Sequence, residues 1–186
     1  MRVMPNMHVY SPADVYELRA MMRRMAQDKQ PTYMQLIRPV VPAVFDASVA
    51  FEPGRALKVA EGNDVTLIST GYMTHIARDV AGELKTEGHS VELLHCPSVK
   101  PLDQDAIIAS ARKTGGVVTV ENQNILGGLG GAVCEVLSEH YPVPVKRLGG
   151  PDALGEVATE QYVFGKHGFG PRQIVQACSE MKERRH

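Results

Sequence analysis

The sequence contains no tryptophan, four phenylalanines and only three cysteines among its 186 residues. Cys96, Cys134 and Cys178 are odd in number and widely spaced, and none belongs to a Cys-x-x-Cys pair. A disulfide framework or a zinc site would need paired or regularly spaced cysteines. We therefore predict neither, and cysteine usage favours a reducing, cytoplasmic setting.

Charge of one sign and long hydrophobic runs are also missing. The formal net charge is −1, with 44% hydrophobic and 22% charged residues. These values are typical of a globular protein, and such a balanced charge does not favour binding to nucleic acid or to an anionic membrane. No apolar run approaches the roughly 20 residues of a transmembrane helix. The first ten residues lack the apolar stretch of a signal peptide.

Catalytic motifs are missing as well. The chain has no Gly-x-Ser-x-Gly sequence and no recurrent spacing of metal ligands. Its seven histidines are scattered along the chain. We interpret His75, His95 and His167 as surface or packing residues rather than as catalytic bases.

The most informative stretch covers residues 116–133. Val117–Val120 is a β-branched run that predicts a buried strand, and Glu121–Asn124 reads as a polar turn. A glycine cluster and a helical apolar pattern follow, with these members: Gly127, Gly128, Gly130, Gly131, Val133, Val136 and Leu137. The stretch predicts a strand, a loop and a helix, with the loop at the carboxyl end of the strand, where α/β sheets place ligands or interfaces.

The glycine cluster does not match a nucleotide-binding motif. The third glycine of G-x-G-x-x-G would fall at Val133, and no lysine follows as a P-loop requires. The preferred interpretation is that missing side chains let the helix start approach neighbouring backbone closely. Anion binding at the helix N-terminus is the alternative. For Glu121 we favour a hydrogen-bond anchor of the loop, with an acid or base role as the alternative.

The first 40 residues predict only a strand, a helix and a second strand. His8–Tyr10 is the first strand, Ser11 is the expected N-cap of the helix, and residues 32–37 form the second strand. The apolar stripe that should pack in the core comprises Val15, Leu18, Met22 and Met25. Three elements cannot close a hydrophobic core. We therefore expect residues 1–40 to be the end of a larger domain and to be less stable than residues 54–186.

Arg38 lies at the end of the second predicted strand, just before a change in composition. Pro39, Pro42 and Pro53 interrupt any regular element, so residues 41–53 are predicted to be an inter-domain linker. A strand-end guanidinium beside a domain junction suits bidentate binding of a phosphate or carboxylate. A surface ion pair is an equally good interpretation of Arg38.

Strands and helices alternate regularly from Gly54 onward. This alternation predicts an α/β fold with three α/β/α layers and a mostly parallel five-stranded sheet, preceded by a partial α/β domain. The predicted strands are Ala56–Ala60, Val65–Ser69, Val91–Leu94, Val117–Val120 and Val143–Leu148. The predicted helices include one capped by Asp103, the glycine-rich helix and a closing helix around Ile174–Met181.

Several of these blocks resemble one enzyme family. Residues 116–133, 64–71 and 100–103 are similar to the C-terminal domain of transketolase-like enzymes that depend on thiamine diphosphate. Residues 4–14 resemble the last third of the family's pyrimidine-binding domain. The resemblance implies three parts: a C-terminal fragment of a pyrimidine-binding-type domain at 1–40, a linker at 41–53, and a transketolase C-terminal-like domain at 54–186.

The resemblance implies a role in ketol-group transfer between sugar phosphates, with no catalysis by this chain alone. It implies a C-terminal part that serves dimerisation and supports the catalytic domains. The alternatives are a deoxyxylulose-phosphate synthase, the β-subunit of a 2-oxo-acid dehydrogenase, and a non-catalytic scaffold module. Arg38 matches the arginine that binds the sugar phosphate in transketolases.

The resemblance also sets the expected cofactor and partners. Thiamine diphosphate and Mg²⁺ belong to the complete enzyme, and this chain alone is expected to bind neither. The family's cofactor-binding glutamate and aromatic pocket precede the segment matched by residues 1–7. Expected partners are a second copy of the chain, an N-terminal transketolase section, or both. The apolar contact surfaces should include Val9, Val15 and Met22 on one side and the loop 122–126 on the other, with residues 121–130 in or near the contact between copies.

Overall fold

Residues 1–184, which this computed structural model describes, contain eight strands and six helices. In chain order they are β1 (His8–Tyr10), α1 (Val15–Met25), β2 (Thr32–Met34), β3 (Leu57–Ala60), β4 (Val65–Ser69), α2 (Met73–Thr86), β5 (Val91–His95), β6 (Ser98–Lys100), α3 (Gln104–Thr114), β7 (Val117–Asn124), α4 (Leu129–His140), β8 (Val145–Gly150), α5 (Glu160–Lys166) and α6 (Pro171–Glu183).

Five strands form the central sheet in the order β3-β5-β4-β7-β8. β5, β4, β7 and β8 are parallel, and β3 pairs antiparallel with β5. The predicted α/β fold with a mostly parallel five-stranded sheet is confirmed. Its central strand β4 is buried at every residue, as expected where helices cover both faces of a parallel sheet.

Successive residues of the strands supply the two halves of the core. Leu67 packs with α2 and α6 on one face, and the next residue, Ile68, packs with α3 and α4 on the other. This alternation follows from the two-residue period of a strand. Asp103 caps α3 by accepting a hydrogen bond from the Ala106 N–H, as the sequence predicts.

A second, three-stranded sheet joins the N-terminal segment to the rest of the chain. β1 pairs parallel with β2 on one side and antiparallel with β6 on the other. β6 follows β5 directly and has no counterpart among the predicted strands. The three-part division at residues 40 and 53 stays a prediction, as does the lower stability of residues 1–40. The pairing with β6 nevertheless gives that segment a sheet partner.

Helix α1 differs from its prediction in its start and its buried face. Asp14, not Ser11, is the N-cap, and its side chain accepts hydrogen bonds from the N–H groups of Tyr16 and Glu17. Glu17 and Met21 are the buried side chains, while 48% of Val15 and 59% of Met22 are exposed. Half of the predicted apolar stripe, Val15 and Met22, therefore does not face the core, whereas Met25 packs against it. The docking of Glu17 decides which face turns inward.

Other elements differ from the predicted ones in length, or were missed. β7 continues through Asn124, so Glu121–Asn124 is strand rather than turn, with an irregular register against β8 beyond Val120. β2 is shorter than predicted and ends at Met34. Helix α5 was not predicted. Residues 35–56 contain no helix or strand, and Phe51 packs its ring against Tyr10.

Candidate functional site

The carboxyl ends of the central strands, where sheets of this kind bind ligands, are covered by the chain's own N-terminal segment. The Ser11 N–H donates to the Pro97 carbonyl at 2.9 Å, just beyond the end of β5. Gly71, just beyond the end of β4, has a positive φ of 55°, and a Cβ there would overlap the Ser11 hydroxyl. The segment from Ser11 to Glu17 therefore occupies the position that a ligand would take in many α/β proteins.

A fully buried polar network holds this segment in place. Nε2 of His95 donates to the Glu17 carboxylate, 2.9 Å from Oε2, and neither side chain is exposed. Oε2 of Glu17 also accepts from the Ala13 N–H at 2.7 Å, and Nδ1 of His95 lies 2.7 Å from the Thr74 hydroxyl. Thr74 in turn accepts from the Ser69 hydroxyl at 3.1 Å.

His95 is fully buried and hydrogen-bonded to Glu17, which agrees with its interpretation as a packing residue. Sequence reasoning did not single out Glu17. No local signal connects the two residues, since they lie 78 positions apart. The only available hint was a glutamate among apolar residues near the start of a predicted helix. Because both side chains are used within the network, they do not offer groups to a substrate.

Glu121 caps the glycine-rich helix α4 from the neighbouring strand. Its Oε2 accepts from the Leu129 N–H at 2.8 Å, and its Oε1 accepts from the Gly130 N–H at 2.9 Å. This bears out the interpretation of Glu121 as a hydrogen-bond anchor. Burial raises the pKa of the Glu121 carboxyl above its usual range, although the two N–H groups and the guanidinium groups of Arg147 and Arg2 oppose that shift.

Gly128 makes room for that carboxylate, and Gly130 makes room for another side chain. A Cβ on Gly128 would overlap Glu121 Oε2, and a Cβ on Gly130 would lie 2.7 Å from the Thr119 hydroxyl. The close approach is therefore to side chains, not to neighbouring backbone as the sequence interpretation had it. The N–H groups of Leu129 and Gly130 already bind the Glu121 carboxylate, which leaves no room for an external anion on these two donors.

Arg38 lies in an exposed bend beyond the end of β2. Within residues 1–184 it forms no hydrogen bond or ion pair, so the alternative of a surface ion pair has no partner in the described part of the chain. Its guanidinium is open to solvent and to a ligand. Its binding of a sugar phosphate stays a prediction.

The described residues do not fit thiamine diphosphate and its Mg²⁺ ion. No group of three or more His, Cys, Asp or Glu side chains within residues 1–184 could hold a metal. The one glycine-rich helix start that could receive a diphosphate binds Glu121 instead.

The other histidines nominated from the sequence are hydrogen-bonded or near a carboxylate, and two of the cysteines are buried. Nδ1 of His75 lies 2.6 Å from the Tyr72 carbonyl, and burial lowers the pKa of His75. Nε2 of His167 lies 3.8 Å from Oε1 of Glu156. Burial raises the pKa of the Cys96 and Cys178 thiols to about 12, so neither is a thiolate at neutral pH. None of the helices within residues 1–184 has the length and apolar character needed to cross a bilayer.

Comparisons with known proteins all identify transketolase-like relatives. The family model of the transketolase C-terminal domain matches residues 54–174. A 6-deoxy-6-sulfo-D-fructose transketolase subunit, SqwH, from Clostridium sp. (strain MSTE9) is 40% identical over 186 residues, which are 100% of this chain and 58% of that protein. The 1-deoxy-D-xylulose-5-phosphate synthase of Heliobacterium modesticaldum is 30% identical over 98% of this chain and 29% of its own length.

A solved structure described as a split gene transketolase, inactive beta4 tetramer, superimposes with a TM-score of 0.92 at 42% sequence identity. The match covers 98% of this chain and 59% of that one. The chain thus spans somewhat more than half the length of the two transketolase subunits that it resembles. The synthase match agrees with the alternative subfamily that the sequence left open.

Proposed function

This chain belongs to the family of the transketolase C-terminal domain, and we propose that it is the C-terminal part of a transketolase, not catalytic alone. The complete enzyme transfers a ketol group between sugar phosphates. The observation that carries the proposal is the covered carboxyl edge of the central sheet, where Glu17, His95 and Glu121 bind one another or the chain's own backbone. A domain built in this way supports a site formed elsewhere.

Support and assembly are the proposed roles of the chain in that enzyme. Its partners are a second copy, an N-terminal transketolase section, or both. Exposed apolar side chains favour such contacts, among them Val15 and Met22 on α1 and Leu126 beside the glycine cluster. Val9, which the sequence also nominated, is only 6% exposed and is not part of such a surface. A cytoplasmic location belongs to the same proposal.

Thiamine diphosphate and Mg²⁺ are the proposed cofactors of the complete enzyme, held by residues outside this chain. Arg38 is the proposed ligand of the substrate's anionic group. The relative from Clostridium carries a sulfonated sugar in its name, and a guanidinium binds a sulfonate or a phosphate through the same charge-assisted hydrogen bonds. We therefore propose an anionic sugar as the substrate, with the phosphate as the first choice.

Reconstitution tests this proposal. The purified chain is mixed with a candidate N-terminal transketolase section, the proposed partner, and ketol transfer is measured with sugar-phosphate donor and acceptor. We expect activity only when both parts and the cofactor are present. Parallel assays with 6-deoxy-6-sulfofructose and for formation of 1-deoxy-D-xylulose 5-phosphate separate the substrate classes. Ketol transfer by this chain alone, or product only in the synthase assay, would contradict the proposal.

A further inference from the structure

The segment that carries Arg38 is attached to the rest of the chain at its two ends. At one end the Gln35 N–H donates to the Tyr10 carbonyl at 2.9 Å. At the other end the N–H groups of Val44 and Phe45 both donate to Oδ2 of Asp14, each at 2.7 Å. We call residues 35–45 the Arg38 loop. Residues 36–42 form no hydrogen bond with the rest of the described chain.

Asp14 makes four hydrogen bonds with its two carboxylate oxygens. Oδ1 accepts from the N–H groups of Tyr16 and Glu17 at 2.9 and 3.0 Å, which caps helix α1. Oδ2 accepts from the end of the Arg38 loop. One buried carboxylate therefore joins the loop to the helix that Glu17 fixes on His95 of the central sheet.

The C-terminal domain also holds the loop directly. Nη1 of Arg78, on α2, donates to the Ala43 carbonyl at 2.8 Å. Asp79 orients that guanidinium, because its Oδ1 accepts from Nε and Nη2 of Arg78 at 3.1 and 3.0 Å. The Phe45 ring lies 5.7 Å from the His95 ring. Two elements of the C-terminal domain, α2 and β5, thus contact the end of the loop.

These attachments matter because the middle of the loop forms no hydrogen bond of its own within residues 1–184. A guanidinium on a loop with free ends would have to be ordered when the ligand binds, and that ordering reduces affinity. Fixed ends remove part of this cost before the ligand arrives. The position of Arg38 should therefore depend on contacts several residues away from it.

We propose that Asp14 and Arg78 are positioning residues for the anionic group of the substrate, because they hold the loop that presents Arg38. The C-terminal domain thereby contributes to substrate affinity without contacting the substrate. This inference rests on the proposed function of Arg38. It assigns a specific task to the support role of the domain.

The test uses the complete enzyme with Asp14→Ala and a matched control, Asp103→Ala. Asp103 makes the same kinds of hydrogen bond as Asp14 but lies away from the Arg38 loop. Its Oδ1 caps α3, and its Oδ2 accepts from the Ala56 N–H at 2.8 Å. KM and kcat are measured for an aldose phosphate and for the same aldose without phosphate. For Asp14→Ala we expect an increase of about tenfold in the KM of the phosphorylated acceptor only, with kcat unchanged. Asp103→Ala should leave the ratio of the two KM values unchanged.

Arg78→Met provides a second variant that leaves the core intact, because Arg78 lies at the surface. The variant loses the hydrogen bond to the Ala43 carbonyl, and this should raise the KM of the phosphorylated acceptor by about threefold. Arg112→Met, on the exposed side of α3, is its control and should have no such effect. Amide exchange at Gln35, Val44 and Phe45, the loop residues whose N–H groups are hydrogen-bonded, should become faster in Asp14→Ala and Arg78→Met but not in the two controls.

Arg38→Ala separates the inference from the function on which it rests. If Arg38→Ala raises the KM of the phosphorylated acceptor and neither positioning variant does, the inference is wrong and the role of Arg38 stands. If Arg38→Ala has no effect, the role of Arg38 fails, and the positioning role fails with it. Equal KM changes for both acceptors in Asp14→Ala and Asp103→Ala would indicate a loss of folding only and would overturn the inference.

Discussion

The Glu17 carboxylate lies 2.9 Å from Nε2 of His95, and both side chains are completely buried. Glu17 belongs to the first helix of the chain and His95 to the end of a central strand. Their hydrogen bonds therefore fasten the N-terminal segment to the C-terminal domain at a point with no access to water. Loss of one partner leaves the other polar group buried without compensation.

Removal of Glu17 should destabilise the protein strongly. We expect Glu17→Leu to lower the free energy of unfolding by about 3–5 kcal/mol, because His95 then loses its partner in the core. Urea denaturation measures the change. The surface pair of Arg24 and Asp28 is the control, and Arg24→Ala should cost less than about 1 kcal/mol. Similar losses in both variants would contradict this account of the buried pair.

The buried carboxyl of Glu121 should give stability a recognisable dependence on pH. Its folded pKa is raised above the ordinary value of 4.5, so the folded protein binds this proton more tightly than the unfolded chain does. The stability that the protonated Glu121 carboxyl contributes is fully present below pH 4.5, and it is lost as the pH rises through the raised pKa of the folded state.

Denaturation curves at a series of pH values test this sign. Relative to Glu121→Gln, which cannot titrate, the wild type should lose stability as the pH rises from about 4 toward neutrality. Glu135 is a control of opposite sign, because its hydrogen bond with Arg2 lowers its pKa. Relative to Glu135→Gln, the wild type should lose stability as the pH falls. If the wild type instead gained stability relative to Glu121→Gln as the pH rises, the prediction would be wrong.

Gly128 and Gly82 should respond oppositely to alanine. A methyl group on Gly128 would overlap the Glu121 carboxylate, so we expect Gly128→Ala to cost about 1–3 kcal/mol. Gly82 lies within α2 and has open space around it, so Gly82→Ala should stabilise the protein by about 0.5–1 kcal/mol. Thermal unfolding of the two variants measures both. A neutral Gly128→Ala would mean that Glu121 can leave the helix start without cost.

The isolated chain should not bind thiamine diphosphate. The N–H groups at the glycine-rich helix start are already hydrogen-bonded to Glu121, and no cluster of metal ligands lies within the described residues. Calorimetric titration with the cofactor and Mg²⁺ is the measurement, with the complete enzyme as the positive control. A dissociation constant in the micromolar range for the chain alone would show that the prediction is wrong.

The chain should form a homodimer or higher oligomer at micromolar concentration. Glu121 is 1% exposed, so any contact in the predicted region must use the more exposed residues after it, such as Leu126 at 59%. Leu126→Asp should weaken association in sedimentation velocity, because it places a charge in an apolar contact. Leu154→Asp, at a fully exposed position, should not. A monomeric wild type, or equal behaviour of both variants, would count against this surface.

Elements with strong local patterns could be predicted from the sequence. The run Val65–Ser69 forms β4 with the predicted bounds, and Asp103 caps α3 as predicted. β-branched residues in a short apolar run, or an aspartate just before a helical pattern, act through neighbours only a few positions away. β6 was missed, because its three residues carry no such pattern and pair with β1, a strand near the N-terminus that is distant in sequence.

The buried face of α1 shows where local patterns mislead. Val15 and Met22 have the spacing of a core stripe, yet they are exposed, while Glu17 is buried. Periodicity identifies an apolar face, but it cannot tell which face meets the rest of the protein when a buried carboxylate has a partner far along the chain. The prediction that Arg38 ends a strand was similarly local and is wrong, because β2 ends at Met34 and Arg38 lies in a bend. The contacts of Asp14 and Arg78 with its loop had no local signal.

The sequence by itself determined the α/β class, the order of the central strands along the chain and the resemblance to transketolases, because each depends on patterns a few residues long. Only the tertiary structure decided that Glu121 binds the glycine-rich helix, that Glu17 meets His95, and that Asp14 holds the Arg38 loop. Each of these contacts joins residues that are distant along the chain or belong to different elements. Their polar groups come together only after the hydrophobic core has set the strands and helices in register.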